Sequence, residues 1–556
     1  MSLWDTLMSP STLRRDAWQW NGVEFRRRTY SDGVAAARHA AAGLRKRGVG
    51  PGSVVAVVIT NGPDALPCVG GAWFAGAKVA SLPIISRGMT AAGYTAQLRG
   101  LCRLLQAECL VVEDRFLGFI SADADLGAEV LGCRGLIETP GMADIAPPPP
   151  DETMFIQFSS GTTSEPRGVE LTARAIDAQL AALSSEAAID PERDVGYTWL
   201  PMSHDMGFFG CTLLAWHSGI PGVMATPERF LGAPRTWLDD CARFGATVTA
   251  APPSAFDIAA QAERLRSSGE PLRLRQCMIG AEEILWPTLT NAIEVFGPRG
   301  LTPEALTPGY GLAEAVLGVT GEPLGTAPSF VDVDGAALAD GRVELVDPEH
   351  PGARRLVSAG KALPGVDVSI DPKDSEIVVR SPSLASRYFG NEKLTAERLS
   401  GGELRTGDIG FLHEDRLFIS GRNDDLLTVR GRNVYVQETE RILAADGDLA
   451  AGNCAIVAVQ NGIQQRVALV AETNDRRVDA ADLAQRLYRC TMESCGLAIQ
   501  DFVFLNRGEF PKTPSGKAQR YRCRELAAEP DVGTRVTLGS LRESGGTRPA
   551  ATSPRV

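Results

Sequence analysis

The chain has 556 residues, of which 44% are hydrophobic and 22% are charged, as in ordinary globular proteins of three or four domains. Its formal net charge of −12 argues against nucleic acid or an anionic membrane surface as the main partner. Eleven cysteines without paired spacing predict reduced thiols in a cytoplasmic protein rather than disulfides or a zinc site, and no apolar window has the length of a transmembrane helix.

Strand and helix patterns alternate through roughly the first three hundred residues. Phe25 to Leu44 predicts an edge strand and a helix, Ser53 to Ile59 a buried strand, and Ala65 to Ala75 a helix. After a stiff proline linker at 147–150, further strands are predicted at 222–225, 247–250 and 276–279. Such alternation is typical of parallel sheets wrapped by helices.

The second part of the chain has a different pattern. Residues 361–420 read as short strands with glycine and aspartate turns, which suits a small barrel-like subdomain. We therefore predict an α/β fold with a large N-terminal domain, 1–420, made of two helix-wrapped sheets and this subdomain. A smaller α+β domain follows at 421–526. The last stretch, 527–556, is rich in Gly, Ser, Pro and Arg and predicts a disordered tail.

A hydroxyl-rich loop, FSSGTTSEPRG, runs from Phe158 to Gly168. A predicted strand precedes it, and a strand end and a helix with Thr172 as N-cap follow it. Gly161 lets the backbone approach a ligand closely. Loop amides can bind phosphate oxygens together with the hydroxyls of Ser160, Thr162 and Thr163. The Walker spacing is absent, and a plain surface loop remains an alternative.

Further motifs follow in a fixed order: Gly280-Ala281-Glu282, Tyr310-Gly311-Leu312-Ala313-Glu314, Thr406-Gly407-Asp408, Gly421-Arg422-Asn423-Asp424-Asp425, Arg430-Gly431-Arg432-Asn433 and the PKTPSGK stretch that ends at Lys517. Together with the hydroxyl-rich loop they resemble the adenylate-forming superfamily, which includes acyl-CoA synthetases, luciferases and the adenylation domains of peptide synthetases. The resemblance covers roughly residues 20–525.

Within that superfamily the chain most resembles the fatty acyl-AMP ligases. The segment WLPMSHDMGFFG at 199–210, YGLAEA at Tyr310 and RGRN at Arg430 are close to that branch. Ser164 and Arg167 stand where a glycine and a lysine are usual, and related ligases vary at these positions. The resemblance implies ATP-dependent activation of a fatty acid to acyl-AMP, with release of pyrophosphate.

The resemblance also assigns the nucleotide site. The backbone of Gly280, Ala281 and Glu282 would face the adenine, with the ring of Tyr310 on its other side and Gly311 permitting close approach. The β- and γ-phosphates would bind the loop of Ser160, Gly161, Thr162 and Thr163. Asp408 would accept hydrogen bonds from the ribose hydroxyls, Arg422 would assist at the ribose or phosphate, and Glu314 would hold Mg²⁺. Each assignment has a structural alternative: Tyr310 as a core residue, Asp408 as a turn residue and Glu314 as a solvated carboxylate.

Lys517 is the predicted catalytic cation, acting with Thr163 and Glu314. Its place in a Pro/Ser/Gly-rich loop of the smaller, mobile domain suits an ammonium that reaches the reacting oxygens only when that domain closes.

Asp424 is the predicted hinge between the two domains. Gly431 would let the backbone approach the tunnel of the acceptor thiol, although a plain turn glycine is the alternative.

The acyl site is predicted at His204, Met206, Gly207 and Phe208. His204 would be a pocket-gating side chain rather than a general base, because the substrate carboxylate is already ionised at neutral pH. A cluster of methionine and aromatic side chains is also typical of an ordinary hydrophobic core. Packing in the core is therefore the alternative to acyl binding for these residues.

The acceptor is the main open question. The long segment between Glu314 and Gly360 matches the branch whose insertion hinders the rotation needed for coenzyme A, although a long loop without functional effect is an alternative. The match implies acyl transfer to the phosphopantetheine thiol of a holo-acyl carrier protein, or of a carrier domain on a polyketide or peptide synthase. An acyl-CoA or aryl-CoA ligase is the second hypothesis. A catalytically silent nucleotide-binding scaffold is the third, disfavoured because Lys517, Glu314 and Asp408 are all present.

Overall fold

A computed structural model describes residues 2–85, 90–120, 125–159, 167–265, 269–339, 341–422, 426–429, 432–461, 464–475, 477–495, 497–512, 518–529 and 532–537. Close backbone contacts divide this part of the chain into two units. The first unit holds the described residues up to Ser420, and the second holds those from Gly421 onward.

The first unit alternates helices and strands, as its sequence pattern predicts. The helices that the structure describes here are α1 Leu3–Leu7, α2 Pro10–Leu13, α3 Tyr30–Arg45, α4 Ala65–Phe74, α5 Ala91–Leu105, α6 Cys133–Ile137, α7 Ala173–Glu186, α8 Asp205–Gly207, α9 Leu214–His217, α10 Pro227–Gly232, α11 Thr236–Phe244, α12 Pro253–Arg264, α13 Trp286–Phe296, α14 Gly335–Ala339 and α15 Glu392–Arg398. A π-helical turn, Phe208–Leu213, joins α8 to α9.

The strands of the same unit, again within the described ranges, are β1 Asp16–Trp20, β2 Phe25–Thr29, β3 Val54–Val58, β4 Lys78–Leu82, β5 Cys109–Val112, β6 Glu129–Gly132, β7 Thr153–Ser159, β8 Arg167–Thr172, β9 Gly196–Thr198, β10 Gly222–Met224, β11 Val248–Ala251, β12 Gln276–Ile279, β13 Leu306–Gly311, β14 Gly318–Gly321, β15 Phe330–Asp334, β16 Ala353–Val357, β17 Lys361–Ala362, β18 Asp367–Ile370, β19 Glu376–Arg380, β20 Arg387–Tyr388, β21 Leu399–Ser400, β22 Glu403–His413 and β23 Arg416–Arg422, whose last two residues belong to the second unit.

Two large sheets organise these strands. Among the described strands, one sheet has the order β17-β14-β13-β12-β11-β9-β10-β1-β2 and the other has the order β20-β8-β7-β4-β3-β5-β6. The central neighbours in each pair in parallel, for example β12 with β13 and β3 with β4. Every residue of β3, VVAVV, is buried, as expected for a parallel strand covered by helices on both faces. The predicted α/β class is therefore confirmed.

Local capping explains where key helices begin. Thr172, the predicted N-cap, accepts a hydrogen bond from the Ala175 amide at the start of α7, and Thr29 forms a capping box with Asp32 at the start of α3. Such caps satisfy amides that have no partner within the helix. They define where β8 and β2 end and where the following helices leave the sheets.

A smaller antiparallel sheet occupies the region for which a barrel-like subdomain was predicted. In the described residues its strands follow the order β18-β19-β22-β21, and β23 pairs with β22. Just before it, β15 and β16 form a separate antiparallel pair with Phe330 opposite Val357. This pair lies in the long segment between Glu314 and Gly360.

The second unit is an α+β structure. Its described elements are β24 Leu426–Val429, β25 Arg432–Tyr435, α16 Val436–Leu443, β26 Leu449–Asn461, β27 Gln464–Thr473, α17 Ala480–Cys495, β28 Asp501–Leu505, α18 Arg520–Ala528 and β29 Thr534–Thr537. A sheet with the order β26-β27-β28-β29 packs α16 and α17 on one face and α18 on the other. The buried Arg520 guanidinium binds both carboxylate oxygens of Glu440, at 2.5 and 2.7 Å.

The start of the predicted disordered tail is corrected by the structure. Residues 534–537 form β29, which pairs antiparallel with β28, and Val536 is buried. Its apolar side chain joins the core that α16 and α17 cover, so the ordered domain extends beyond residue 526. Among the described helices, none combines the length and the hydropathy required to cross a bilayer.

Candidate active site

The candidate nucleotide site lies at the carboxyl ends of two parallel strands. β12 runs into Gly280 and Ala281, and its neighbour β13 ends with Tyr310 and Gly311. A Cβ atom on Gly280 would lie 2.9 Å from the Gly309 carbonyl oxygen, so the two backbones approach each other closely. Ala281 adopts φ +66°, which is uncommon for a residue with a side chain. The carboxyl ends of parallel strands are where open α/β sheets bind ligands.

The Glu282 side chain turns away from this strand end. Its two carboxylate oxygens accept hydrogen bonds from the amide and the hydroxyl of Ser254, both at 3.1 Å. The Gly280-Ala281-Glu282 motif therefore offers its backbone to a ligand, while the Glu282 carboxylate anchors the motif to the first turn of α12.

A tight turn after Tyr310 requires a glycine. A Cβ atom on Gly311 would lie 1.9 Å from the Leu317 carbonyl oxygen, which accepts a hydrogen bond from the Leu312 amide at 2.8 Å. Val316 has φ +65° and ψ −51°, a strained conformation for a β-branched residue. The turn carries Glu314, and observed strain of this kind is characteristic of functional sites.

Tyr310 and Asp408 meet although they are far apart in sequence. The Tyr310 hydroxyl donates a hydrogen bond to Asp408 Oδ2 at 2.5 Å. Asp408 is 5% exposed, and its amide donates to the Thr406 hydroxyl at 3.1 Å. The two residues predicted to hold the adenine and the ribose are thus brought together at one strand end.

The Thr406-Gly407-Asp408 motif, which lies within β22, is held by two side chains. The Gly407 amide donates to Glu376 Oε1 at 2.6 Å, and Arg398 donates to the Thr406 carbonyl oxygen at 3.0 Å. Gly407 has φ +77°, and a Cβ atom there would lie 2.8 Å from the Arg398 guanidinium. This point of β22 therefore depends on glycine, and the Arg398 guanidinium lies directly against it.

The resemblance implies that ATP binds here, so Tyr310→Phe should raise the KM for ATP about tenfold, because a hydrogen bond to a charged group contributes about 1.5–3 kcal/mol. The ring remains available for stacking, so the melting temperature should change little. Steady-state kinetics with ATP varied at saturating fatty acid measures the effect. An unchanged KM would show that the hydroxyl does not organise the ribose site.

Glu314 has a buried partner that the sequence motifs did not identify. The Tyr388 hydroxyl donates to Glu314 Oε1 at 2.8 Å, and the Ala385 amide donates to the Glu314 carbonyl oxygen at 2.7 Å. Burial, and secondarily the Glu314 carboxylate, raise the pKa of the Tyr388 phenol. Tyr388 therefore stays protonated and acts as a donor to the carboxylate.

The predicted acyl-site residues occupy the start of the α8 segment. His204 is the N-cap of α8 and lies 2.6 Å from Asp205 Oδ1. Met206 is buried, and a Cβ atom on Gly207 would lie 2.3 Å from the Pro201 carbonyl oxygen. Phe208 is 0% exposed and stacks on Phe155, with ring centroids 5.0 Å apart. Phe208 thus lies in the core between the sheets.

Other predicted site residues fall elsewhere. Arg422 ends β23 and belongs to the second unit. Several predictions lie outside the described residues: Ser160, Gly161, Thr162, Thr163, Asp424, Gly431 and Lys517. The structure does describe both flanks of the hydroxyl-rich loop, because β7 and β8 pair antiparallel with Phe158 opposite Gly168.

Sequence reasoning missed Tyr388 and Arg398. Neither stands in a stretch that a glycine-rich or hydroxyl-rich composition would mark. The available signal was weak: Tyr388 precedes Phe-Gly-Asn, a turn sequence, inside a region otherwise read as short strands. Their importance follows from contacts with Glu314 and Thr406 in the folded chain.

Comparison with known proteins agrees with this geometry. Residues 12–389 match the family described as AMP-binding enzyme. A Mycobacterium tuberculosis protein provisionally named as a fatty-acid–CoA ligase, fadD25, is 31% identical over 67% of this chain and 70% of its own. The medium-chain-fatty-acid–acyl-carrier-protein ligase JamA of Moorena producens is 30% identical over 67% of both chains.

A solved structure has the same fold over nearly the whole chain. It comes from a study of fatty acyl-adenylate ligases from E. coli and L. pneumophila, is 25% identical, and has a TM-score of 0.84 over 94% of this chain and 97% of its own. The chain therefore belongs to the AMP-binding enzyme family, within its group of adenylate-forming fatty acid ligases.

Proposed function

We propose that this enzyme activates a fatty acid as acyl-AMP and passes the acyl group to the phosphopantetheine thiol of an acyl carrier protein, with a thioester bond formed, the acyl–oxygen bond to AMP broken and AMP released. The observation that carries the first step is the hydrogen bond between Tyr310 and Asp408 at the carboxyl end of β13, with Glu314 on the turn that follows this strand. Because no disulfide joins the cysteines whose side chains the structure describes, we further propose that the enzyme acts in the reducing cytoplasm.

In the proposed first step a fatty acid carboxylate oxygen attacks the α-phosphorus of ATP. A new P–O bond forms, the bond to the β-phosphate bridging oxygen breaks, and pyrophosphate leaves. Both reactants are anions, so the site must supply positive charge and oriented donors. The hydroxyl-rich loop at Ser160–Thr163 and the Lys517 ammonium are assigned these tasks, while Asp408 holds the ribose.

Glu314 is the residue assigned to Mg²⁺. Among the described residues no group of three or more His, Cys, Asp or Glu side chains converges on one point. A single carboxylate nevertheless suits this ion, which usually binds one or two carboxylates, several waters and the substrate phosphates. Glu314 is half-buried, and its Oε1 accepts the Tyr388 hydrogen bond. Bound Mg²⁺ would neutralise phosphate charge as pyrophosphate leaves.

An apolar cavity between the first large sheet and the helices α3 and α4 offers room for the acyl chain. Its floor is a row of small residues in register, Ala17 beside Gly222 and Gly222 beside Gly196. Cys211 and Thr212, which follow the HDMGFFG motif on the π-helical turn, line another part of its wall. Burial raises the pKa of the Cys211 thiol to about 11, so this wall is uncharged. We assign the distal part of the acyl chain to this cavity.

Ala17→Phe should fill the cavity and shorten the preferred acyl chain. Each methylene group that no longer fits should cost about 0.8 kcal/mol in kcat/KM, so long acids lose activity progressively. The shortest accepted acid serves as the internal control and should be unaffected. Pyrophosphate release across a series of acids measures the profile, and an equal loss at every chain length would reject the assignment.

The segment between Glu314 and Gly360 supports a carrier protein as acceptor. Phe330 of β15 packs edge-on against Trp286 at 4.5 Å, and Arg355 lies 3.8 Å above the Phe330 ring while binding Asp332 with two hydrogen bonds. Further apolar contacts join β15, β16 and α14 to the smaller antiparallel sheet, through Val333, Leu338, Leu356, Phe411 and Phe418. An insertion anchored in this way fits the ligases in which an inserted segment hinders the rotation that coenzyme A requires.

The acceptor is tested with purified enzyme, fatty acid, ATP and Mg²⁺. After acyl-AMP has accumulated, either coenzyme A or a holo-carrier protein is added, with the apo-carrier as control because it lacks the thiol. The proposal expects the holo-carrier to consume the adenylate and coenzyme A to leave it. Consumption by coenzyme A at a comparable rate would favour the acyl-CoA ligase that the fadD25 similarity represents.

A further inference from the structure

A short segment, residues 385–389, connects two parts of the candidate site that are distant in sequence. We name it the strap; it contains β20 and precedes α15. Tyr388, its fourth residue, is 2% exposed. Its amide donates to the Thr395 hydroxyl of α15 at 3.0 Å, so the strap is also anchored from its C-terminal side.

On one side the strap holds Glu314 at two points. The Ala385 amide binds the Glu314 backbone carbonyl, and the Tyr388 hydroxyl binds its side-chain Oε1. Main chain and carboxylate are thus fixed separately. A carboxylate on a turn would otherwise rotate about its side-chain bonds, and holding it in one rotamer requires a partner such as this hydroxyl.

On its other side the strap pairs with β8, the strand that follows the hydroxyl-rich loop. Arg387 and Tyr388 lie opposite Glu170 and Val169, and the Phe389 amide donates to the Gly168 carbonyl oxygen at 2.7 Å. The Arg387 guanidinium also binds the buried Glu170 carboxylate at 2.9 Å. The strap is therefore joined to β8 by both backbone and side-chain contacts.

We propose that Tyr388 is a positioning residue that orients the Glu314 carboxylate toward the metal ion, and that the strap keeps this carboxylate aligned with the strand leaving the phosphate loop. The inference rests on the proposed metal role of Glu314. Tyr388 acts through Glu314 and touches neither substrate in this account. If Tyr388 had only a structural role, its buried hydroxyl could be satisfied by any acceptor. Its acceptor is instead the carboxylate that is assigned to the metal ion.

The test compares Tyr388→Phe with Tyr94→Phe. Tyr94 is equally buried, and its hydroxyl donates to the Pro83 carbonyl oxygen at 3.1 Å, away from Glu314. Mn²⁺ binding to each enzyme with a non-hydrolysable ATP analogue, followed by electron paramagnetic resonance, reports metal affinity independently of turnover. Tyr388→Phe should weaken Mn²⁺ binding about tenfold or more, as for other residues that orient a metal ligand, and Tyr94→Phe should not.

Two further variants separate this inference from the proposed function. Glu314→Gln should weaken Mn²⁺ binding by itself, and adding Tyr388→Phe should then have no further effect, because the hydroxyl acts through that carboxylate. If Glu314→Gln binds Mn²⁺ like the natural enzyme, the metal role of Glu314 fails. If Glu314→Gln weakens binding but Tyr388→Phe behaves like Tyr94→Phe, the positioning inference alone is overturned.

Discussion

Replacing Lys517 with alanine should lower the rate of acyl-adenylate formation by a factor on the order of 10²–10³, the usual effect of removing one preorganised charge from a reaction centre. The carboxylate and the α-phosphate are both negative where they meet, so the ammonium should act most strongly in the transition state. ATP affinity should be largely retained, because the hydroxyl-rich loop, Asp408 and Glu314 are assigned the binding of the nucleotide.

Lys512→Ala is the matched control, since this lysine belongs to the same PKTPSGK stretch and carries the same charge. Both variants are assayed by pyrophosphate release and by equilibrium binding of an ATP analogue. An unchanged rate for Lys517→Ala would reject its catalytic role. Equal losses in the two variants would instead indicate a general effect of charge in this stretch.

Gly311→Ala should destabilise the turn that carries Glu314 and should abolish nucleotide binding. The added Cβ would lie 1.9 Å from the Leu317 carbonyl oxygen, which is backbone and cannot rotate away. Overpacking of this kind costs about 1–3 kcal/mol, occasionally more. Urea unfolding gives the change in the free energy of unfolding, and calorimetry with an ATP analogue gives the loss of binding.

Gly100→Ala is the control for adding a methyl group to a glycine. Gly100 lies exposed on α5 with open space around its Cβ position, so alanine should stabilise the helix by up to about 1 kcal/mol. The steric argument would be wrong if Gly311→Ala unfolded at the same urea concentration as the natural enzyme and still bound the nucleotide.

The sequence predicted those parts of the fold that depend on short-range pattern. Gln276–Ile279 forms the predicted strand, and Thr172 caps the predicted helix, because burial periodicity and capping act over a few residues. The end of the second unit was placed too early, because residues 534–537 gain their strand partner only from β28. That pairing is a tertiary contact, which local composition cannot indicate.

The same distinction applies to the candidate site. Tyr310, Asp408 and Glu314 could be named because each stands in a compact motif, but the contacts that they make in the folded chain could not be predicted. The Tyr310–Asp408 hydrogen bond spans 98 residues and the Tyr388–Glu314 hydrogen bond spans 74. Phe208 illustrates the reverse case: it stands in a recognised motif, yet its ring packs against Phe155 in the core.

The central claim is that the enzyme joins a fatty acid to AMP reversibly. The most direct measurement is the exchange of radiolabelled pyrophosphate into ATP, with and without fatty acid, before any acceptor is added. The account predicts exchange that depends on both the fatty acid and Mg²⁺ and that is nearly lost in Lys517→Ala. Absence of fatty-acid-dependent exchange across short, medium and long acids, from an enzyme that demonstrably binds ATP, would contradict it.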